Sequence, residues 1–449
     1  MQKGIILIIS NLKFNNSAMS TQTVNGNPAS SKDKAGGTNT ITVPETFKIQ
    51  PVDGLTSRAP SAPNAAPDPV FAELGVLQKL VGNFKGIGLN MIFRPAFEDK
   101  SMRDNVLEYN VTSETMAFLN QLGDVPNRGL GNQADIILRV VPYTQMVSDL
   151  LDKNTGKANR PDPVSIHFEQ GLFIQTPPTE KRPVVKAGTI SRLASVPHGT
   201  TINCQGLAPD LSKSVAGAPK FQPASIIPFT SGKPNDAKDS FPQMKFNTTN
   251  DLRIPPEVKA DGALTAAVMQ NPNLFLEKIN NDSKLKRIKD HIFFTVSSDA
   301  SSLKTAIGDN INVPGGGTSN IAFLSGNTGK DGNANAVSVV CDYWISTVEY
   351  DVQLPTGDFS GANQKLVTIE SEAAKAEAKE GRKVISPTFV VHLMQKIPNN
   401  TIAKLSATQI QYSQKVLLDF NGLSWPHISV ATLLPSDPVH IRAAQVVIQ

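Results

Sequence analysis

The chain has 449 residues, 39% hydrophobic and 18% charged, with 31 Gly and 32 Pro against 2 Trp and 5 Tyr. That length supports a large core, and the Gly and Pro content predicts a loop-rich globular protein. A formal charge of +4, with Lys and Arg interleaved among acids, lacks the basic footprint that DNA or RNA binding needs.

At the N-terminus, "MQKGIILIIS" places a lysine before a short apolar run, the outline of a signal peptide. No clear small-x-small cleavage site follows, and Met19 is a second candidate start that would make the first 18 residues an upstream extension. Nothing else approaches the run of about 18 apolar residues that a membrane span requires, so a soluble protein is expected, with secretion left open. Residues 1–68 end in "RAPSAPNAAPDP" and bury too little apolar surface to order themselves, which predicts a disordered tail. A single elaborated domain is expected over 69–449. It opens with "VFAELGVLQKLVGNF", where Phe71, Leu74, Leu77 and Leu80 recur at helical spacing before a strand.

From there the dominant period is two. "TISRLASV" alternates, "AVSVVCDYWISTVEYDVQL" is rich in β-branched and aromatic residues, and "TQIQYSQKVLLDF" sets Ile410, Tyr412, Val416, Leu418 and Phe420 against Gln411, Ser413 and Lys415. Antiparallel strands with one wet face are predicted. The stretches 207–256 and 312–335 are too long for hairpin loops and read as excursions or lids. Helices are expected in "NPNLFLEKINNDSKLKRI" and "LVTIESEAAKAEAKEGRKV", the second a solvated surface helix with a weak Glu372–Lys375 pair. No repeat of solenoid or propeller type is present. A mainly β fold, an antiparallel barrel with long loop insertions and a few short helices, uses such strands without leaving edges exposed.

Chemical motifs are sparse. "NVPGGGTSN" and "SGNTGKDG" lack phosphate-loop spacing and read as turns, and "VGNFKGIGLN" lacks the GxGxxG of a dinucleotide site. There is no GxSxG, no HExxH and no cysteine near a histidine in sequence. Cys204 and Cys341 are expected as small buried hydrophobes, with a disulfide between them left open.

Six histidines carry more information. In "SIHFEQGLF" a strand puts Ser165, His167, Glu169 and Gly171 on one face. In "WPHISVATLL" the face of His427 also carries Ser429 and Ala431, small residues that leave volume beside an inward imidazole. A barrel of about eight to ten strands can hold one small ligand in such a volume. His427 is then either a nitrogen ligand to a metal at the centre of that ligand, as in haem proteins, or a satisfied core histidine or one exposed at a strand end. His198, between Pro197 and Gly199, reads as a turn residue.

These segments together resemble the nitrobindin-like, haem-binding-like group of calycin (lipocalin-type) barrels. "VGNFKGIGLN" is similar to the opening strand of that family, "SIHFEQGLF" to its Met-His-x-Glu-x-Gly-aromatic strand with Ile166 at the Met position, and "YSQKVLLDFNGLSWPHISVATL" to its closing pair. "VPNRGLGNQADI", "SVPHGTTINCQG" and "VVCDYWISTVEY" resemble its larger members. The resemblance implies haem b as cofactor, His427 as its axial ligand, His167 on the pocket wall, and peroxide or peroxynitrite chemistry. The alternatives are a metal-free carrier of a small hydrophobic ligand and a structural or surface interaction protein with a solid barrel.

Overall fold

In the computed structural model the described residues are 74–95, 105–120, 122, 124–132, 134–152, 155, 157–158, 160–179, 188–234, 254, 264–281, 286–299, 316–320, 333–379, 386–420, 422–441 and 447–448. The proposed tail, Met19, Phe71 and "SGNTGKDG" lie outside them. The three long period-two segments each form a strand of one closed antiparallel barrel. The ten strands are β1 (Gly82–Pro95), β2 (Asn105–Phe118), β3 (Ile136–Asp149), β4 (Val164–Thr176), β5 (Thr189–Ser195), β6 (Thr200–Leu207), β7 (Lys286–Ser297), β8 (Asn335–Gln353), β9 (Ile402–Phe420) and β10 (Leu423–Pro435). Each pairs with its neighbour in sequence, and β1 pairs with both β2 and β10, which closes the ring. The fold is thus mainly β, with long insertions and few helices, as the alternation predicts. No helix among the described residues is long and apolar enough to cross a membrane.

The strands cross closely where β1 meets β10. A Cβ on Gly86 would lie 1.8 Å from the Thr432 carbonyl oxygen, so the glycine there answers to strand approach. A different irregularity marks β6. It meets β7 in a single registered pair, Gln205 with Ser297, while its first half pairs with a short strand, Gly317–Asn320. Thr318 Oγ1 donates to the Ala336 carbonyl on β8 at 2.6 Å, which wedges this strand into the wall. The "NVPGGGTSN" segment, expected as a turn, therefore contributes a strand over 317–320, and its first residues are outside the described set.

One end of the barrel is solid. A 3-10 helix, Gly75–Lys79, plugs it with Leu74, Leu77 and Leu80, all fully buried against Phe84, Phe118 and Phe173. Cys204 and Cys341 are in the same cluster and both are free thiols, which settles the open pairing. Burial pushes them up to about 11 and about 12.

The wet outer face predicted for β9 is absent over part of its length. Helices α1 (Ala266–Gln270) and α2 (Leu274–Asn281), with Phe221 and Ile226 of the excursion after β6, pack on that wall around Trp344 and Trp425. Gln411 is buried there, donating to Thr432 Oγ1 at 2.8 Å. Alternation marks two faces but cannot say that an insertion will cover the polar one. The excursion after β6, read as a possible lid, instead covers an outer wall. Both predicted helices are also shorter than expected. α2 ends at Asn281, and 286–288 belong to β7. Residues 365–370 form a strand, Lys365–Glu370, paired with Thr388–Leu393, so that α3 spans only Glu372–Lys379. In both places an alternating edge next to a helical run was absorbed by a sheet. The Glu372–Lys375 pair forms at 2.7 Å.

Candidate functional site: a polar cavity at the open end of the barrel

Inward-facing positions change character along the barrel axis. Above the aromatic layer, where Tyr143 and Phe173 approach to 5.0 Å between ring centres, the interior becomes a belt of polar side chains. Each follows from strand alternation: Glu114 shares the inner face of β2 with Met116 and Phe118, Glu169 that of β4 with Phe173, Arg192 that of β5 with Ile190. Above this belt lies a cavity of about 260 Å³. The wedged Gly317–Asn320 strand enters the wall at this end, and Asn320 and Ala336 line the cavity.

Two carboxyl groups form the floor, their pKa values shifted in opposite directions. Arg192, itself 1% exposed, donates from Nη2 to both Glu169 oxygens at 2.7 and 2.8 Å, and from Nη1 to Gln414 Oε1 at 2.6 Å. The Tyr143 hydroxyl also bonds Glu169. Burial alone would raise the Glu169 pKa, but the guanidinium, assisted by His167, reverses this and holds the carboxyl at about 2. Glu114 is 2% exposed and has no such partner: Thr112 Oγ1 donates to it at 2.8 Å, Tyr412 OH at 2.5 Å and Gln145 Nε2 at 3.3 Å. Burial dominates there and raises its pKa. Gln145 stands beside Glu169 in the β3–β4 register, so the two networks adjoin.

Three histidines stand above the floor. His427 and Ser429 face inward from β10, with Ala431 below them in the core cluster, on the face that alternation gives. Asn90 Nδ2 donates to Ser429 Oγ at 3.2 Å, which turns the amide oxygen toward His427 Nε2 at 2.6 Å. Nε2 therefore carries the proton and Nδ1 the lone pair. Burial, with the charges on His167 and His198 adding, lowers the His427 pKa to about 4, so its imidazole is neutral at physiological pH. His167 lies 3.2 Å from Glu169 Oε2 through Nε2, and its ring meets that of His198 edge-on at 5.0 Å. His198 sits in the β5–β6 turn as the sequence predicts, where Gly199 N–H donates to Val196 O at 3.0 Å. Its ring also lines the cavity, a placement the flanking Pro and Gly do not reveal.

His427, His167 and Ser429 are thus brought to one cavity, and Ala431 lies in the packed layer beneath. Sequence reading missed Asn90, Glu114, Gln145, Arg192 and Tyr412 as cavity or floor residues. A usable signal existed for Glu114: an acid on the apolar face of "TSETMAF". Among the described residues, no group of three or more His, Cys, Asp or Glu side chains is placed to hold a metal ion. The arrangement offers one neutral nitrogen base, two carboxyls whose pKa values are shifted in opposite directions, and several hydroxyl and amide donors around a small volume.

Neither protein-family models nor curated proteins match this chain. Among solved structures it is similar to "Crystal Structure of Rv2717c from M. tuberculosis", at 9% identity and a TM-score of 0.28, covering 83% of this chain and 100% of that one. A likeness that loose carries no argument about fold or function.

Proposed function

We propose that this barrel binds one ligand in the cavity at its open end, and that the ligand is haem b held through His427, as in the nitrobindin-like calycin barrels that the sequence resembles. The observation that supports this best is a neutral, inward imidazole with small neighbours, Ser429 beside it and Ala431 beneath, bordering open volume. Haem asks one protein side chain for a nitrogen, and so fits a site without a metal-binding cluster. Val147, Val196, Val416 and Leu418 supply apolar walls for a flat ligand. Asn90 fixes the His427 tautomer, as the hydrogen-bond partner of a ligating histidine commonly does. When bound, haem would supply an iron centre for peroxide or peroxynitrite chemistry, and the chain's part would be to hold the imidazole, orient it and shield the cavity.

The test is a visible absorption titration of the protein with hemin beside His427→Ala. A saturable Soret band lost in the variant supports the reading. An unchanged band in the variant, or no saturable band in the wild type, overturns it. A second reading, a metal-free carrier of a small ligand, is favoured by one observation: about 260 Å³ lies below the roughly 300–1,000 Å³ of ordinary ligand pockets. Native mass spectrometry of the purified protein separates the two by showing a small organic ligand without porphyrin.

A further inference from the structure

His167 and His198 have no role in the reading above beyond a place on the cavity wall. Their rings meet at 5.0 Å between centres with planes 82° apart, and both residues line the cavity. The hydrogen bonds beneath decide which nitrogen of His167 is free. Both Glu169 oxygens receive N–H from Arg192 Nη2, at 2.7 and 2.8 Å. This carboxylate has no proton to offer, so the 3.2 Å contact with His167 Nε2 is donated by the imidazole. A neutral ring with its proton on Nε2 keeps its lone pair on Nδ1, and the two nitrogens face nearly opposite ways. With Nε2 turned down to the floor, Nδ1 is turned toward the open end, where the β5–β6 turn carries His198. Among the described residues neither ring nitrogen of His198 is hydrogen-bonded.

We propose that His167, through Nδ1, and His198 together bind one divalent d-block ion of the zinc type at the mouth of the cavity. The separation of the rings fits a shared ion. An imidazole nitrogen sits about 2.0–2.1 Å from such an ion, which puts the ring centre about 3.2 Å from it, and two rings at a tetrahedral angle then have centres about 5.2 Å apart. The observed spacing is 5.0 Å. A ligating histidine commonly gives its other N–H to a carboxylate that fixes the tautomer and the ring orientation, and Glu169 is so placed. Imidazole nitrogen suits zinc, copper and nickel ions. With two side chains as ligands, the remaining positions are open to water or a small anion, so the ion is exchangeable rather than structural. The assignment goes beyond the haem reading and does not depend on it.

The test is a calorimetric titration of the full chain, free of hemin, with Zn2+. The expected result is a saturable site, weakened about tenfold or more in His198→Ala and unchanged in His392→Ala, which removes a histidine of the strand Thr388–Leu393. His198 is exposed in its turn, so its loss leaves the barrel folded. No saturable site, full binding in His198→Ala, or loss of binding in His392→Ala would overturn the assignment. Nitrogen-15 spectra of the histidine rings give a second reading. Zn2+ should move His167 Nδ1 and leave Nε2 protonated; a ligated Nε2, or a His167 ring that does not respond, overturns the carboxylate-backed arrangement. Hemin titration of His198→Ala keeps the outcomes apart. A normal Soret band there beside unchanged zinc binding sinks this inference alone, while a zinc site that needs His198 in a protein without a saturable Soret band sinks the haem reading alone.

Discussion

Replacing Arg192 with leucine should expose how far the cavity floor depends on one ion pair. The guanidinium and Glu169 are both almost fully buried, joined at 2.7 and 2.8 Å. Removing the cation leaves a carboxylate enclosed without a partner, which typically costs about 3–5 kcal/mol. The acid limb gives an independent figure. Glu169 falls from 4.5 to about 2 in the folded protein, which at about 1.4 kcal/mol per pH unit corresponds to about 3 kcal/mol. Because the folded value lies below the unfolded one, this stability is complete above about pH 4.5 and is lost as pH falls toward 2. In Arg192→Leu the direction reverses: burial now raises the Glu169 pKa, and protonation on acidification relieves the variant. Urea unfolding followed by fluorescence of the buried Trp344 and Trp425 should therefore show a gap of about 3–5 kcal/mol at about pH 7 that narrows by about pH 3.5. Adding Glu169→Gln should recover at least half of it. A single variant within about 1 kcal/mol of wild type at neutral pH, or a gap unchanged on acidification, would refute the assignment of an ionised pair.

Four further outcomes follow from the same geometry. The His427 ring, with its pKa near 4, should keep constant NMR shifts from about pH 8 to about pH 5. Since its folded pKa is below the unfolded 6.5, stability should fall on acidification between 6.5 and about 4, and that limb should flatten in His427→Asn. Gly86→Ala should destabilise by about 1–3 kcal/mol or more in the same urea assay, because the new methyl meets the Thr432 carbonyl. Neither Cys204 nor Cys341 should react with an aromatic disulfide reagent in the folded protein, and both should react once it unfolds.

What was legible in the sequence follows from what alternation encodes. It placed His427, Ser429 and Ala431 on one face because strand period is a local property, and it joined His167 to Glu169 for the same reason. It could not pair Glu169 with Arg192 or Glu114 with Tyr412. The first joins residues 23 apart on the paired strands β4 and β5 and needs their register, while the second spans 298 residues and exists only once the ring has closed. The face of Gln411 was misjudged because an insertion more than a hundred residues upstream, through Leu276, covers it. Helix lengths failed at α2 and α3, where neighbouring strands claimed residues with acceptable helical composition.

Closure through β1 and β10 also fixes the order of events in synthesis. Phe84 pairs with Pro435, and Met91 with Ile428; until those last strands have left the ribosome, β1 has one partner and an open edge. Some 340 residues of chain must wait with that edge and the unassembled polar floor exposed, which makes folding slow and leaves a long interval for strand-to-strand association between nascent chains. Truncation before β10 should thus yield an aggregating ribbon, and the cell's handling of the partly made chain becomes as much a requirement of this architecture as any contact in the finished barrel.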